Sequence, residues 1–179
     1  MARKRKPVRV EIPLSISIDD ISLIGFVSNN IKNHQLAYSL NSTFEIQLSR
    51  EIDFESYDET ENILRPFSSY YCYDEDCNMF YFLIETRSND GVLLHQNIAE
   101  YNSILMISHG NHKIIADNII NYPDSVPGVF LCKDISKIKN FRDFVKNSFL
   151  LDIDIYIRKI KEMAKKRELE NKEQIFFKL

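Results

Sequence analysis

The chain has 179 residues, 44% of them hydrophobic and 12% aromatic, with a formal net charge of −3; this composition suits one folded domain with its own core and excludes global disorder. Three cysteines, at 72, 77 and 132, make no even disulfide framework, and the longest apolar run, Met79 to Ile84, is far too short to cross a bilayer. Glu11 and Pro13 break the apolar stretch that a secretory signal would need, so a reducing cytosol, unoxidised thiols and no membrane contact are expected.

Charge is unevenly spread from the start. Arg3, Lys4, Arg5, Lys6 and Arg9 make residues 1–12 a basic arm, a candidate phosphate contact or a solvated terminus. The core domain is placed at 13–140. "SLIGFVSNN", Ser22 to Asn30, reads as a strand ended by a turn. In "HQLAYSLNSTF" the spacing of Leu36, Leu40 and Phe44 predicts a helix. "EIQLS" alternates as a short strand, and the stretch from Glu51 to Asn62, with six acids and no base, reads as a surface loop.

"PFSSYYCYDED" and "NMFYFLIETRS" read as paired strands joined by the turn "DEDCN", and "SNDGV" as a second turn. "AEYNSILMIS" is another buried strand. "NHKIIADNIINY" sets Ile114, Ile115, Ile119 and Tyr122 at helical spacing before Pro123, and "VPGVFLCKDIS" returns as a strand. Short turns between paired strands predict an α+β fold: a largely antiparallel sheet of the split β-α-β kind, with two helices on one face. A C-terminal helical extension is placed at 141–179, because this stretch has neither Gly nor Pro and strong helix formers. Ile153, Ile157, Ile160 and Ala164 give it one apolar face, which either packs on its own domain or meets a partner or a second copy.

Chemistry-bearing motifs are few. Four isolated glycines, at 25, 91, 110 and 128, exclude a P-loop, a dinucleotide fingerprint and a G-x-S-x-G elbow. "CYDEDC" and "HGNH" would make a zinc site only if the fold brought Cys72 and Cys77 to His109 and His112; no metal and no cofactor are expected. His95, Glu100, Tyr101 and His109 supply acid–base groups. Glu100 and Tyr101, taken as strand neighbours, would point to opposite faces, so no nucleophile–base pair is legible. The aromatic strands could stack bases, but Asp74, Glu75 and Asp76 interleave them where a nucleic-acid binder would carry cations.

The segment "LLHQNIAEY", Leu93 to Tyr101, resembles the motif of the IPExxxVDY family, a group of small bacterial proteins without an established activity. Leu93 stands at the motif's Ile, Leu94 at its Pro, His95 at its Glu, Ala99 at its Val and Glu100 at its Asp, while Tyr101 is identical. "LIGF", "HQLAYSLN" and the paired aromatic strands before a Gly turn are similar in kind, so the resemblance spans about residues 20 to 135. Leu94-His95 in place of Pro-Glu removes a rigid turn and a carboxylate. The resemblance implies binding positions at His95, Glu100 and Tyr101, or a structural motif that braces a turn into a central strand. The expected function is a non-catalytic cytosolic interaction or assembly module. It would contact an unidentified protein, or self-associate as a homo-oligomer, through Ile153, Ile157 and Ile160. The alternative is an RNA- or ribosome-associated protein using Arg3, Lys4, Arg5, Lys6 and the basic tail.

Overall fold

The structure is a computed structural model that describes residues 17–29, 31–58, 61–74 and 77–176. Arg3, Lys4, Arg5 and Lys6 lie outside the described residues, as does the side chain of Ala164. Among the described residues seven strands form: β1 (Ile21–Ser28), β2 (Phe54–Asp58), β3 (Ile63–Phe67), β4 (Ser69–Asp74), β5 (Met79–Glu85), β6 (Ser103–Ser108) and β7 (Val129–Asp134). Five make one sheet in the order β4-β5-β6-β1-β7, and β2 and β3 pair as a separate hairpin. Every pairing within the sheet is antiparallel. Because β1 runs against both β6 and β7, those two run the same way with β1 between them. The helix joining them completes a split β-α-β unit.

Two helices, α1 (Asn33–Phe44) and α2 (His112–Asn121), cover one face of the sheet. Leu36, Ala37 and Leu40 pack there with Ala116 and Ile119 against Ile24, Phe26, Leu83, Leu105 and Ile107, a largely aliphatic core. The spacing in α1 reads correctly. In α2 the inward face is His112, Ala116 and Ile119, while Ile114 and Tyr122 face outward; the apolar repeat there is ambiguous by one residue. The expected strand at "EIQLS" forms no ladder. Glu45 turns left-handed at φ 56°, and only Ser49 bridges to Tyr71 through two 2.9 Å backbone bonds. Asn41 holds this segment instead, its side chain donating to Leu48 O at 3.0 Å and accepting from Leu48 N at 2.8 Å.

The opposite face departs most from expectation. Part of the acidic stretch is a strand rather than a loop: in Phe54–Asp58, Phe54 and Ser56 alternate inward, and the β2–β3 hairpin lies on the sheet. Beside it run α3 (Lys139–Phe144), a π-helical turn (Val145–Phe149) and α4 (Leu150–Phe176). Phe141, Val145, Phe149, Ile153 and Ile157 are all buried. A repeat of four drifts by about 40° per step around an α-helix, and the wider π turn absorbs part of that drift so that the row stays inward. The core therefore continues beyond residue 140 into the segment expected to be an extension. No helix among the described residues is long and apolar enough to cross a membrane.

Candidate interaction surface

The motif-like segment is a loop between β5 and β6, and its side chains are occupied in holding that loop. His95 precedes a short 3-10 turn (Gln96–Ile98), where its Nδ1 accepts from Asn97 N at 3.2 Å. Its ring packs against Phe144 and Phe141 at centroid distances of 4.9 and 5.6 Å. Burial lowers the pKa of His95, which favours the neutral ring that can accept this bond. Tyr101 is 3% exposed and lies flat over Gly25 in the middle of β1; a Cβ at Gly25 would stand 2.5 Å from Tyr101 Cδ1. Burial first, and the Glu100 carboxylate that accepts from its hydroxyl second, push the Tyr101 pKa up to about 12.

Residues 99–102 precede β6, and Tyr101 N donates to Ile98 O at 3.0 Å, so strand alternation does not govern this pair; Tyr101 is buried and Glu100 exposed. None of His95, Glu100 and Tyr101 lines one of the clefts described below. They brace the entry to a central strand.

The row Ile153, Ile157 and Ile160 is likewise turned inward. Ile153 is fully buried and Ile157 6% exposed, and Ile160 packs at the edge of the same core. These residues hold α4 on its own domain and are not a contact surface. The outward side of α4 carries Leu151 and Ile155 instead, at 60% and 45% exposure.

The remaining candidates from sequence also have structural partners. Gly110, at φ 48°, sits where a Cβ would meet Cys77 O at 2.9 Å, so the fold does bring the "HGNH" turn to the Cys77 turn. Among the described residues, however, no three His, Cys, Asp or Glu side chains converge as a metal site. His112, 8% exposed at the start of α2, shares a 2.9 Å hydrogen bond with Ser22 Oγ. Ser22 lines a cleft of about 360 Å³ between α2 and the end of β7, but His112 is not among that cleft's walls. The bond pins α2 to β1. Cys72, Cys77 and Cys132 are thiols rather than disulfides, and burial pushes the Cys132 thiol up to about 12, an unreactive state.

Outward-facing apolar side chains stand on the hairpin and α4, and also at Tyr38 on α1, Ile114 and Tyr122 on and just beyond α2, and Phe130 and Leu131 on β7. Tyr57 and Leu64 are cross-strand partners on the outer side of the hairpin, 50% and 56% exposed. The hairpin is tied to α4 at two points: Ser56 Oγ donates to Asp152 at 3.0 Å, and Lys159 pairs with Glu55. Phe54 fixes the depth of the hairpin by edge contacts with Phe149 and Tyr156 at 5.4 and 5.9 Å. The outer residues of both elements thus belong to one side of the molecule. No sequence signal marked this, because Tyr57 sits in an acidic stretch and Leu151 and Ile155 fall off the apolar repeat. Between the hairpin and residues 92–96 lies a second cleft, of about 430 Å³. Comparison with family models, curated proteins and solved structures found no match for this chain.

Proposed function

We propose that this chain is a non-catalytic, cytosolic protein-interaction or assembly module that meets its partner with the outer side of the hairpin and α4. One observation carries the reading: Tyr57, Leu64, Leu151 and Ile155, all between 45% and 60% exposed, stand on two elements bonded side by side. Grouped apolar side chains of this size on a folded surface mark protein contacts more than they mark solvated surface. The occupant is a protein surface, in keeping with the acidic residues around it; Glu55, Asp58 and Glu61 would repel phosphate. Membership of the IPExxxVDY group belongs to the same reading, with His95, Glu100 and Tyr101 as the braces of a loop that supports this side of the molecule.

The test is a pair of substitutions, Tyr57→Ser with Ile155→Ser, in the full chain. Sedimentation velocity and chemical cross-linking should show the wild type as a homo-oligomer or bound to a stoichiometric protein, and the variant as a folded monomer without it. Identical behaviour of the two chains would remove the reading. RNA contact through Arg3, Lys4, Arg5 and Lys6 makes a different prediction, a complex lost steeply as salt is raised.

A further inference from the structure

The cleft between the hairpin and residues 92–96 has two unlike ends. One wall is apolar, built by Phe67, Leu93, Leu94 and Phe144, with Tyr57 at the rim. At the other end Arg65 is buried, its side chain 8% exposed, and each of its three guanidinium nitrogens donates to a carboxylate. Arg65 Nε donates to Asp58 at 2.7 Å, Nη2 to Glu61 and Nη1 to Asp90. Three carboxylates around one guanidinium leave an excess of two negative charges. Glu61 and Asp90 are more than half exposed, so the excess faces solvent beside the cleft.

We infer that this cleft receives a lysine or arginine side chain from the partner's docking segment, its methylene stem on the apolar wall and its charge among Asp58, Glu61 and Asp90. The inference rests on the proposed interaction function and adds the chemistry of the partner: a basic residue next to apolar ones. An apolar segment would cover the wall and desolvate carboxylates it cannot satisfy. An acidic segment would be repelled. A long cationic side chain satisfies both ends of the cleft at once.

Fluorescence anisotropy with the synthetic peptide RKRKPVRV, and with the same peptide carrying glutamate at every basic position, tests this on the full chain. The basic peptide should bind and the acidic one should not. Glu61→Gln with Asp90→Asn keeps Asp58 to hold Arg65 and should weaken binding about tenfold, as should Leu93→Ser. Asp117→Asn with Asp124→Asn, which removes equal charge from exposed positions on α2 and just beyond it, should leave binding unchanged. No binding by the wild type, or equal losses in the cleft and control variants, overturns the inference. Because RKRKPVRV is also residues 3–10 of the chain, a variant with Arg3, Lys4, Arg5 and Lys6 each replaced by Glu is included. Much tighter peptide binding by that variant would assign the cleft to the chain's own arm and overturn the partner assignment. If Tyr57→Ser with Ile155→Ser abolishes assembly while the cleft variants bind peptide normally, the cleft alone fails; if neither set has an effect, the interaction function fails too.

Discussion

The two faces of the sheet are built by different rules. The face under α1 and α2 is largely aliphatic, and two continuous helices cover it. The opposite face is aromatic: Phe54, Phe80, Phe82, Phe149 and Tyr156 form a connected set of ring contacts. Its cover is assembled from a hairpin, a loop and a helix with a π turn, drawn from three separate segments of the chain. Polar ties hold these pieces. Ser69 Oγ donates to the Tyr156 hydroxyl, which donates to Ile52 O, both at 3.1 Å. Among the described residues no buried side-chain polar atom lacks a partner, as a core made of irregular pieces requires. Both covers carry exposed apolar side chains, Tyr38, Ile114 and Tyr122 on the helical side and Tyr57, Leu64, Leu151 and Ile155 on the aromatic side; the second group is the proposed contact side.

This difference can be probed from the largest effect downward. Phe82 and Leu83 are neighbours on β5 that point to opposite faces, both fully buried. Phe82→Ala should cost about 4 kcal/mol and Leu83→Ala about 3 kcal/mol by urea unfolding, since Phe82 is held by four aromatic rings. A larger loss for Leu83→Ala would reverse the ranking of the two faces. Gly25→Ala should cost about 1–3 kcal/mol by forcing the Tyr101 ring off β1. The same change in a Tyr101→Ala background should cost almost nothing, and a double-mutant cycle reads the coupling. Additive effects would contradict the stacked packing.

Smaller effects come from titration. Burial lowers the pKa of His95 and, as its largest cause, that of His112. The native state then binds fewer protons than the unfolded chain between those lowered values and the ordinary histidine range, so stability should fall as pH drops below about 6.5. His95→Asn, which keeps an acceptor for Asn97 N, should make that fall shallower. Burial acts in the other direction on Asp152, raising its pKa although Ser56 donates to it. Its native state holds a proton the unfolded chain has released, so stability should fall as pH rises through the ordinary aspartate range to the raised value. Asp152→Asn should remove that slope and leave the chain slightly more stable at neutral pH. The least effect belongs to Leu151→Ser, within about 0.5 kcal/mol of wild type. Calorimetry that found it strongly destabilising would mean that Leu151 serves the fold rather than a surface.

The aliphatic face was largely legible. Apolar runs bounded by turn residues and the Leu36, Leu40, Phe44 stripe are local signals, and the α+β antiparallel architecture follows from them. The aromatic face was not, because its order is tertiary. Phe54 reads as one apolar residue in an acidic stretch until Phe82 and Phe149 are seen around it. The Ile153, Ile157, Ile160 row was visible as an apolar face, but spacing cannot say whether such a face looks inward or outward. Alternation could not place Glu100 and Tyr101 either, because β6 begins only at Ser103.

The most direct test of the proposed contact side is affinity capture from native cells with the wild type and the Tyr57→Ser, Ile155→Ser variant in parallel, each with and without ribonuclease. The proposed function predicts a stoichiometric protein held by the wild type through ribonuclease and lost by the equally folded variant. Capture of the same protein by both chains, or material that vanishes on digestion, would contradict it.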